Sequence, residues 1–372
     1  MLLSLLFSFH LYAANRLPAS IDLFYIDQVP FYMEQPVDIY IPSPLSHPIA
    51  LNNLDLSSSR ILSDFDRRIS EDFHIPEALK KRVGFWLNIY TKYDSNLHIL
   101  HDADYPWVVY EVFDLKKEMQ GEGAYWARYH KAKRKLNQRR AHWKYTLNRL
   151  ARKKSHHNLN EDEKFILQHF RKSRHIRAAA TRIRVQVGQR DHFLKGLERS
   201  APHLENMEEI FSKHRLPLEL TRVPLVESSF NIKAHSKAGA KGVWQIMPNI
   251  GRKLGLIKRG KDLRSDIYAS TEVAAVLFKQ KMNILKSWPL AITAYNHGPS
   301  GMRRATKALG TKDITRIIRR YDSRRFGFAS QNFYPSFLAA LYGERYKDLF
   351  FNKEYPQQIS FVELDKLDLP NE

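Results

Sequence analysis

The chain has no cysteine. That absence excludes disulfide staples, thiolate zinc sites, iron–sulfur clusters, a cysteine nucleophile and an acylated-cysteine anchor. The sequence also lacks a phosphate-cradling P-loop, a dinucleotide-binding glycine pattern, a His-Glu-x-x-His pair and a Gly-x-Ser-x-Gly elbow. Sixteen histidines include His156-His157, but no spacing suggests a zinc site, so no metal and no cofactor is expected. Acids are few: 39 Asp+Glu against 60 Lys+Arg leave a net charge of +21, which points to a polyanion or an anionic surface as partner.

What remains is ample for folding. With 372 residues, 43% of them hydrophobic, the chain exceeds what one core usually supports, so two or more domains are expected. Residues 1–14 form an apolar run (Leu2, Leu3, Leu5, Leu6, Phe7, Phe9, Leu11) closing on Ala13-Ala14. The run is too short for the ~20 residues that span a bilayer and fits a signal peptide, although no Lys or Arg precedes it. A buried N-terminal element is the alternative. Export to the periplasm or cell envelope follows from the first reading. Residues 15–59 carry six prolines and should be extended. Pro76 can open a helix, and Leu79, Val83, Trp86 and Tyr90, widened by Phe85 and Ile89, keep a helical period. The region 15–125 therefore reads as an extended arm and a small helical region.

Residues 126–200 hold 22 Lys+Arg against five acids, which is most of the excess charge. Leu136, Trp143, Leu147 and Leu150 keep a helical period beneath it, and Asn160 with Glu163 reads as a capping box. The expectation is two or three long amphipathic helices with a basic exposed face. Such a face either binds an anion or is merely solvated. No zinc-finger ligands, RNP aromatics or heptad zipper accompany it, and an exported protein does not meet DNA, so nucleic-acid binding is disfavoured.

Residues 201–230 read as helix, turn, helix. Leu204, Met207, Ile210 and Phe211 form one stripe, and Arg215-Leu216-Pro217 breaks it. The apolar Leu218–Val226 then leads into Glu227, beside a turn. A carboxyl there is solvated, paired, or buried with a raised pKa, and only the last makes a proton donor near neutral pH. No Asp or Glu lies between Glu227 and Asp262, nor between Glu272 and Asp313. A two-carboxylate glycosidase needs its second acid within ~10 Å of the first, and nothing nearby in sequence supplies one. Gly239-Ala-Lys-Gly242-Val-Trp244-Gln245 then offers close backbone approach, an aromatic wall and an oriented amide, with Trp244 more plausible as core.

Glu227-Ser-Ser-Phe, Ala234-His-Ser236, Gly239-Ala-Lys-Gly242-Val-Trp-Gln245-Ile-Met247-Pro248 and Ala294-Tyr295-Asn296-His-Gly298, in that order, resemble the lytic transglycosylase family with its soluble-lytic-transglycosylase domain. The membrane-bound type D branch looks nearest. The likeness covers about 200–345, and the lead-in from Gln186 to Ser200 resembles that branch too.

The resemblance implies a mainly α protein: a lysozyme-like catalytic domain over 201–345, preceded by a basic, helical N-terminal region and followed by a tail over 346–372. It implies non-hydrolytic cleavage of the β-1,4 bond between N-acetylmuramic acid (MurNAc) and N-acetylglucosamine (GlcNAc) in peptidoglycan, giving 1,6-anhydro-MurNAc ends. Glu227 matches the family's catalytic acid. Ser236, Gln245, Met247, Tyr295 and Asn296 fall at substrate-contacting positions. Where the family has Asn-Tyr-Val-Pro, this chain has Asn332-Phe333-Tyr334-Pro335. The tyrosine position thus holds Phe333, and Tyr334, one place later, is carried as a substrate-binding candidate. Tyr295 and Tyr334 can equally be core tyrosines. His235 and His297 suit the cleft edge rather than catalysis. The wall-binding repeats common in the branch do not fit after Tyr346, so the basic 126–200 region is the candidate for attachment to the wall or to an anionic membrane surface. Hydrolysis on the same fold, or a non-catalytic wall-binding protein, are the competing functions.

Overall fold

The computed structural model describes residues 58–155 and 157–351. The expected signal peptide (1–14), the arm up to residue 57, His156 and the chain from 352 lie outside the described residues. The described chain is mostly helical and divides into two compact units, 195–337 and 58–194 with 338–351.

In the second of these, α1 (Ser58–Leu62) precedes α2 (Lys80–Thr91), which follows a single 3-10 turn opened by Pro76. The expected stripe is inside: Leu79, Val83, Phe85, Trp86, Ile89 and Tyr90 are all buried. A sheet follows that sequence periodicity did not anticipate. β1 (Leu97–Asp102) pairs antiparallel with β2 (Val109–Asp114). After α3 (Leu115–Glu118), α4 (Tyr125–Leu150), α5 (Glu161–His169) and α6 (Ser173–Ala179), β3 (Ile183–Val187) pairs antiparallel with the other edge of β1. Residues 183–187, expected to be helical, are therefore a strand, and 126–150 is the one long helix of the basic segment.

The physical reason is burial. β1, Leu97-His-Ile-Leu-His-Asp102, is covered along nearly its whole length, so apolar and polar residues do not alternate as in a half-exposed strand and it reads as helix as readily as strand. One face of the sheet and the stripe Leu136, Trp143, Leu147 and Leu150 of α4 share a core with Ile166, Phe170 and Ile176. Asp102 ties the far end together. Its carboxylate accepts from the Asp104 and Tyr105 amides and from the Arg182 guanidinium at 2.9–3.1 Å. The capping box at Asn160 forms with both reciprocal hydrogen bonds, and Lys153 and Arg149 close on its Glu163.

α7 (Arg190–Ser200) leads to the other unit, which contains α8 (Leu204–Lys213), α9 (Val223–Ser228), α10 (Pro248–Lys253), α11 (Ile267–Leu285), α12 (Trp288–His297), α13 (Pro299–Leu309) and α14 (Ile314–Arg320). α8 breaks at Arg215, whose φ of 57° turns the chain into a 3-10 helix over Leu218–Arg222 and then α9. α11 is the apolar spine against which α8 and α12 pack. The boundary at 337 falls within α15 (Phe328–Arg345), and α16 (Lys347–Phe351) makes the start of the expected tail helical.

Candidate active site

Glu227 sits in the last turn of α9, which ends because Ser229 and Phe230 take left-handed conformations (φ 47° and 56°). Phe230 is fully buried and holds that turn down. Glu227 is 7% exposed and makes no hydrogen bond or ion pair among the described residues. Burial alone pushes its carboxyl up to about 8, so it is a neutral acid at pH 7.

Ser228, next to it in the chain, and Tyr295 fix one loop between them. Ser228 Oγ donates to the Val243 carbonyl at 2.9 Å, and Tyr295 Oη, from α12, donates to the next carbonyl, Trp244, at 2.9 Å. Two consecutive carbonyls are thus fixed by the residue after Glu227 and by Tyr295. The Tyr295 ring stacks on Phe278 (5.0 Å) and Phe333 (6.5 Å). Burial, then the nearby Glu227, holds its hydroxyl protonated well above the ordinary tyrosine range. Tyr295→Phe deletes one donor that spans two elements. About 1 kcal/mol of stability and a roughly tenfold loss of activity are expected, read by thermal unfolding and by release of soluble fragments from purified wall.

The loop itself is braced by short-range bonds. The Ser236 amide donates to the Ala240 carbonyl at 2.9 Å, and Ser236 Oγ accepts from the Ala240 amide at 2.9 Å. Gln245, left-handed at φ 47°, turns its amide nitrogen back onto the Gly242 and Ala234 carbonyls at 2.9 and 3.3 Å. Its donors brace the loop, which leaves the amide oxygen as its free polar atom. Met247 is half-buried at the start of α10. Trp244 is 0% exposed, stacked on Phe211, and donates to Thr271 Oγ1, so it is core and not a sugar platform.

A cross-tie absent from the sequence reading is Arg264. It is buried, donates from Nη1 to the Gly239 and Ile246 carbonyls at 2.7 and 2.9 Å, and grips Asp262 through Nε and Nη2. Those bonds, with Lys241, hold the Asp262 carboxyl far below the usual carboxylate range. Gly242 lies against it, at φ 78°, where a Cβ would come within 1.9 Å of the Arg264 carbonyl oxygen. Lys281 was also missed. It is buried on α11 with its ammonium 5.1 Å from the Tyr295 ring centroid, and burial brings it down to about 8. A buried Lys in a helix carries no sequence signal beyond its place in the apolar stripe.

Asn296, one residue beyond Tyr295, accepts from Ser330 Oγ at 3.3 Å, and Ser330 Oγ also meets His297 Nδ1 at 3.1 Å. The His297 ring lies on Gly301, where an added Cβ would come within 2.4 Å of it. Burial and then Arg304 and Arg325 depress the His297 pKa, so the ring is a neutral positioning group. His235 is exposed on the loop. The structure does not bring Tyr334 to this group: it is 1% exposed and stacked with Phe337, while Phe333 presents its ring to Tyr295. Successive residues of a helix point about 100° apart, so only one of the two can face Tyr295.

Residues 208–318 match the family model of the transglycosylase SLT domain. The chain carries an SLT domain. Over 112 residues it is 38% identical to the membrane-bound lytic murein transglycosylase D of Escherichia coli K12, covering 29% of this chain and 25% of that protein. The same figures hold for the protein of that name in strain CFT073. A putative tributyltin chloride resistance protein of Alteromonas sp. M-1 is 34% identical over 117 residues, 31% of this chain and 56% of that one. The chain thus spans about a quarter of the murein transglycosylases and about half of the third relative. All of Glu227, Ser236, Gln245, Met247, Tyr295 and Asn296 fall within the SLT match, and Phe333 and Tyr334 lie beyond it. Among the described residues no group of His, Asp and Glu is arranged to hold a metal ion, and no helix is long and apolar enough to cross a membrane.

Proposed function

We propose that the SLT domain is a peptidoglycan lyase that cleaves the MurNAc-β-1,4-GlcNAc bond without water, using Glu227 first as acid and then as base. The observation that carries this reading is a buried carboxylic acid with no cation partner and no second carboxylate acting on it among the described residues. Glu227 donates its proton to the glycosidic oxygen as the C1–O bond breaks and GlcNAc departs with a free 4-hydroxyl. The carboxylate so formed takes the proton of the muramyl 6-hydroxyl, whose oxygen bonds to C1 and closes the 1,6-anhydro ring. Glu227 ends as it began, neutral, and no water is consumed. The muramyl N-acetyl group shares the positive charge at C1, in place of a second protein carboxylate.

The other candidates take supporting roles. Ser236 keeps a hydroxyl hydrogen uncommitted and Gln245 an amide oxygen, both suited to sugar hydroxyl and amide groups. Asn296, with its oxygen engaged by Ser330, has its amide hydrogens for substrate. Met247 supplies an apolar wall. Tyr295 is principally a brace, and Tyr334 is left out of the site. The relatives named as murein transglycosylases support the substrate class, and the apolar run at 1–14 supports export to the periplasm or envelope. The basic 126–200 region is the candidate for peripheral attachment there.

Digestion of purified sacculi followed by mass spectrometry of the glycan ends tests the chemistry. Anhydro-muramyl ends, absent with Glu227→Gln, are expected. Reducing muramyl ends would assign hydrolysis instead, and unchanged lysis by Glu227→Gln would leave the domain a non-catalytic wall binder.

A further inference from the structure

The long helix α4 has an unusual charge economy. Over Tyr125–Leu150 it carries nine Lys and Arg and no acid. Part of that charge is neutralised by neighbouring elements: Lys135 meets Glu118, Arg139 meets Glu111, and Arg149 with Lys153 meets Glu163. The remainder is not. Among the described residues, Lys131, Arg134, Lys144 and Arg152 are exposed and pair with no carboxylate.

Lys131, Arg134, Gln138 and Tyr145 follow each other at spacings of three, four and seven, which places them in one row along the helix, and Arg152, just past its end, lies beside Tyr145. The row runs opposite the buried stripe Leu136, Trp143, Leu147 and Leu150, and at ~1.5 Å per residue its helical part extends for roughly 20 Å. At its C-terminal end lies an open groove of about 470 Å³ lined by Ala141, Lys144, Tyr145, Asn148, Arg149 and Arg152. Tyr145 stands 64% exposed in it, an aromatic face ringed by cations and an amide.

We propose that this row and groove are a second, non-catalytic binding site for the wall polymer: a sugar ring lies on Tyr145, and carboxylates of the peptide stems pair with Lys144, Arg152 and the cations of the row. The proposal rests on the reading of the SLT domain as acting on peptidoglycan. Charge complementarity fixes the ligand as a polyanion, because unneutralised cations repel one another along α4 and a row of carboxylates relieves that repulsion. The position of the aromatics favours a strand over a lipid surface. Tyr125 and Trp126, the other exposed rings of α4, point roughly 100–160° away from the row at about 100° per residue, so rings and cations share no plane that a bilayer could meet. An open, shallow face with one exposed ring among cations instead fits a chain of saccharides bearing acidic branches.

The test is binding without turnover, which separates it from the activity of the SLT domain. Full-length chain carrying Glu227→Gln is sedimented with purified sacculi, with sacculi whose carboxyls have been amidated, and with vesicles of 7:3 phosphatidylethanolamine:phosphatidylglycerol. Expected are a Kd for native sacculi raised at least tenfold by Lys131→Glu/Arg134→Glu/Arg152→Glu, about fivefold by Tyr145→Ser, and at least fivefold by amidation. Both variants change exposed side chains, and unfolding midpoints within a few degrees of the parent certify their fold. Equal affinity of parent and triple variant, equal binding of native and amidated sacculi, or vesicle binding that exceeds sacculus binding and depends on the same three residues would each overturn the proposal. The amidation comparison uses the parent alone and stands even where a variant misfolds.

Discussion

Glu227→Gln is expected to abolish wall cleavage while making the protein more stable at neutral pH. Loss of a general acid costs ~10²–10⁴-fold in rate, and in the proposed mechanism the same group also serves as the base, so the upper part of that range is expected. The stability effect has the opposite sign. In the unfolded chain Glu227 ionises near the ordinary glutamate value of 4.5, whereas in the fold burial holds it neutral up to about 8. Below the unfolded value both states are protonated and the group leaves stability intact. As pH rises through the interval, the unfolded state alone gains the favourable ionisation, and stability falls by about 1.4 kcal/mol per pH unit until the folded group titrates too. Glutamine removes this loss, so the variant should gain on the order of 2–3 kcal/mol at pH 7 and nothing near pH 4. Thermal unfolding of parent and variant at those two pH values reads it. A gain independent of pH, or none, would mean that the carboxyl is ionised in the fold. The same burial predicts that kcat/KM of the parent falls tenfold per pH unit above about 8.

The second large effect belongs to Gly242. Its φ of 78° and the 1.9 Å approach of a Cβ to the Arg264 carbonyl make Gly242→Ala strained in both conformation and space. The left-handed conformation costs an alanine ~1–2 kcal/mol, and forcing the Arg264 backbone aside adds ~1–3 kcal/mol or more. Gly239→Ala is the control: it has the same sign of φ (87°), but its Cβ would meet only the Pro248 side chain, at 3.3 Å. Gly242→Ala should therefore lower the unfolding midpoint by at least twice as much as Gly239→Ala. It should also lose lytic activity at temperatures where it is still folded, because Gly242 directly precedes Val243 and Trp244, the residues whose carbonyls Ser228 and Tyr295 fix. Equal effects of the two substitutions would mean that the loop is free to move away from Arg264.

The residues of the candidate site differ in how far sequence alone revealed them. Glu227, Ser236, Gln245, Tyr295 and Asn296 were legible because each stands in a short motif, and four motifs in one order specify far more than any of them singly. Arg264 was illegible because its partners, the carbonyls of Gly239 and Ile246, are backbone groups, which leave no mark on residue type. The Phe333 and Tyr334 exchange was half legible. Alignment on Pro335 identified the shift by one residue, but helix geometry decided that Phe333 is the one to stack on Tyr295. The N-terminal sheet escaped for another reason: β1 and β3 are separated by most of the basic segment, and their pairing is enforced by register and burial rather than by a local pattern.

Sequence by itself determined the residue types that can do chemistry here, the acid-free stretch that follows Glu227, the absence of thiol chemistry and the concentration of positive charge in 126–200. Those are properties of composition and order. Tertiary structure decided the rest: which of the cations on α4 pair with a carboxylate among the described residues, which aromatic ring meets Tyr295, and above all the protonation of Glu227. An isolated glutamate ionises in water whatever its neighbours in the chain. Only the closing of other elements over it, which withdraws the solvent that would stabilise its charge, makes it an acid at neutral pH.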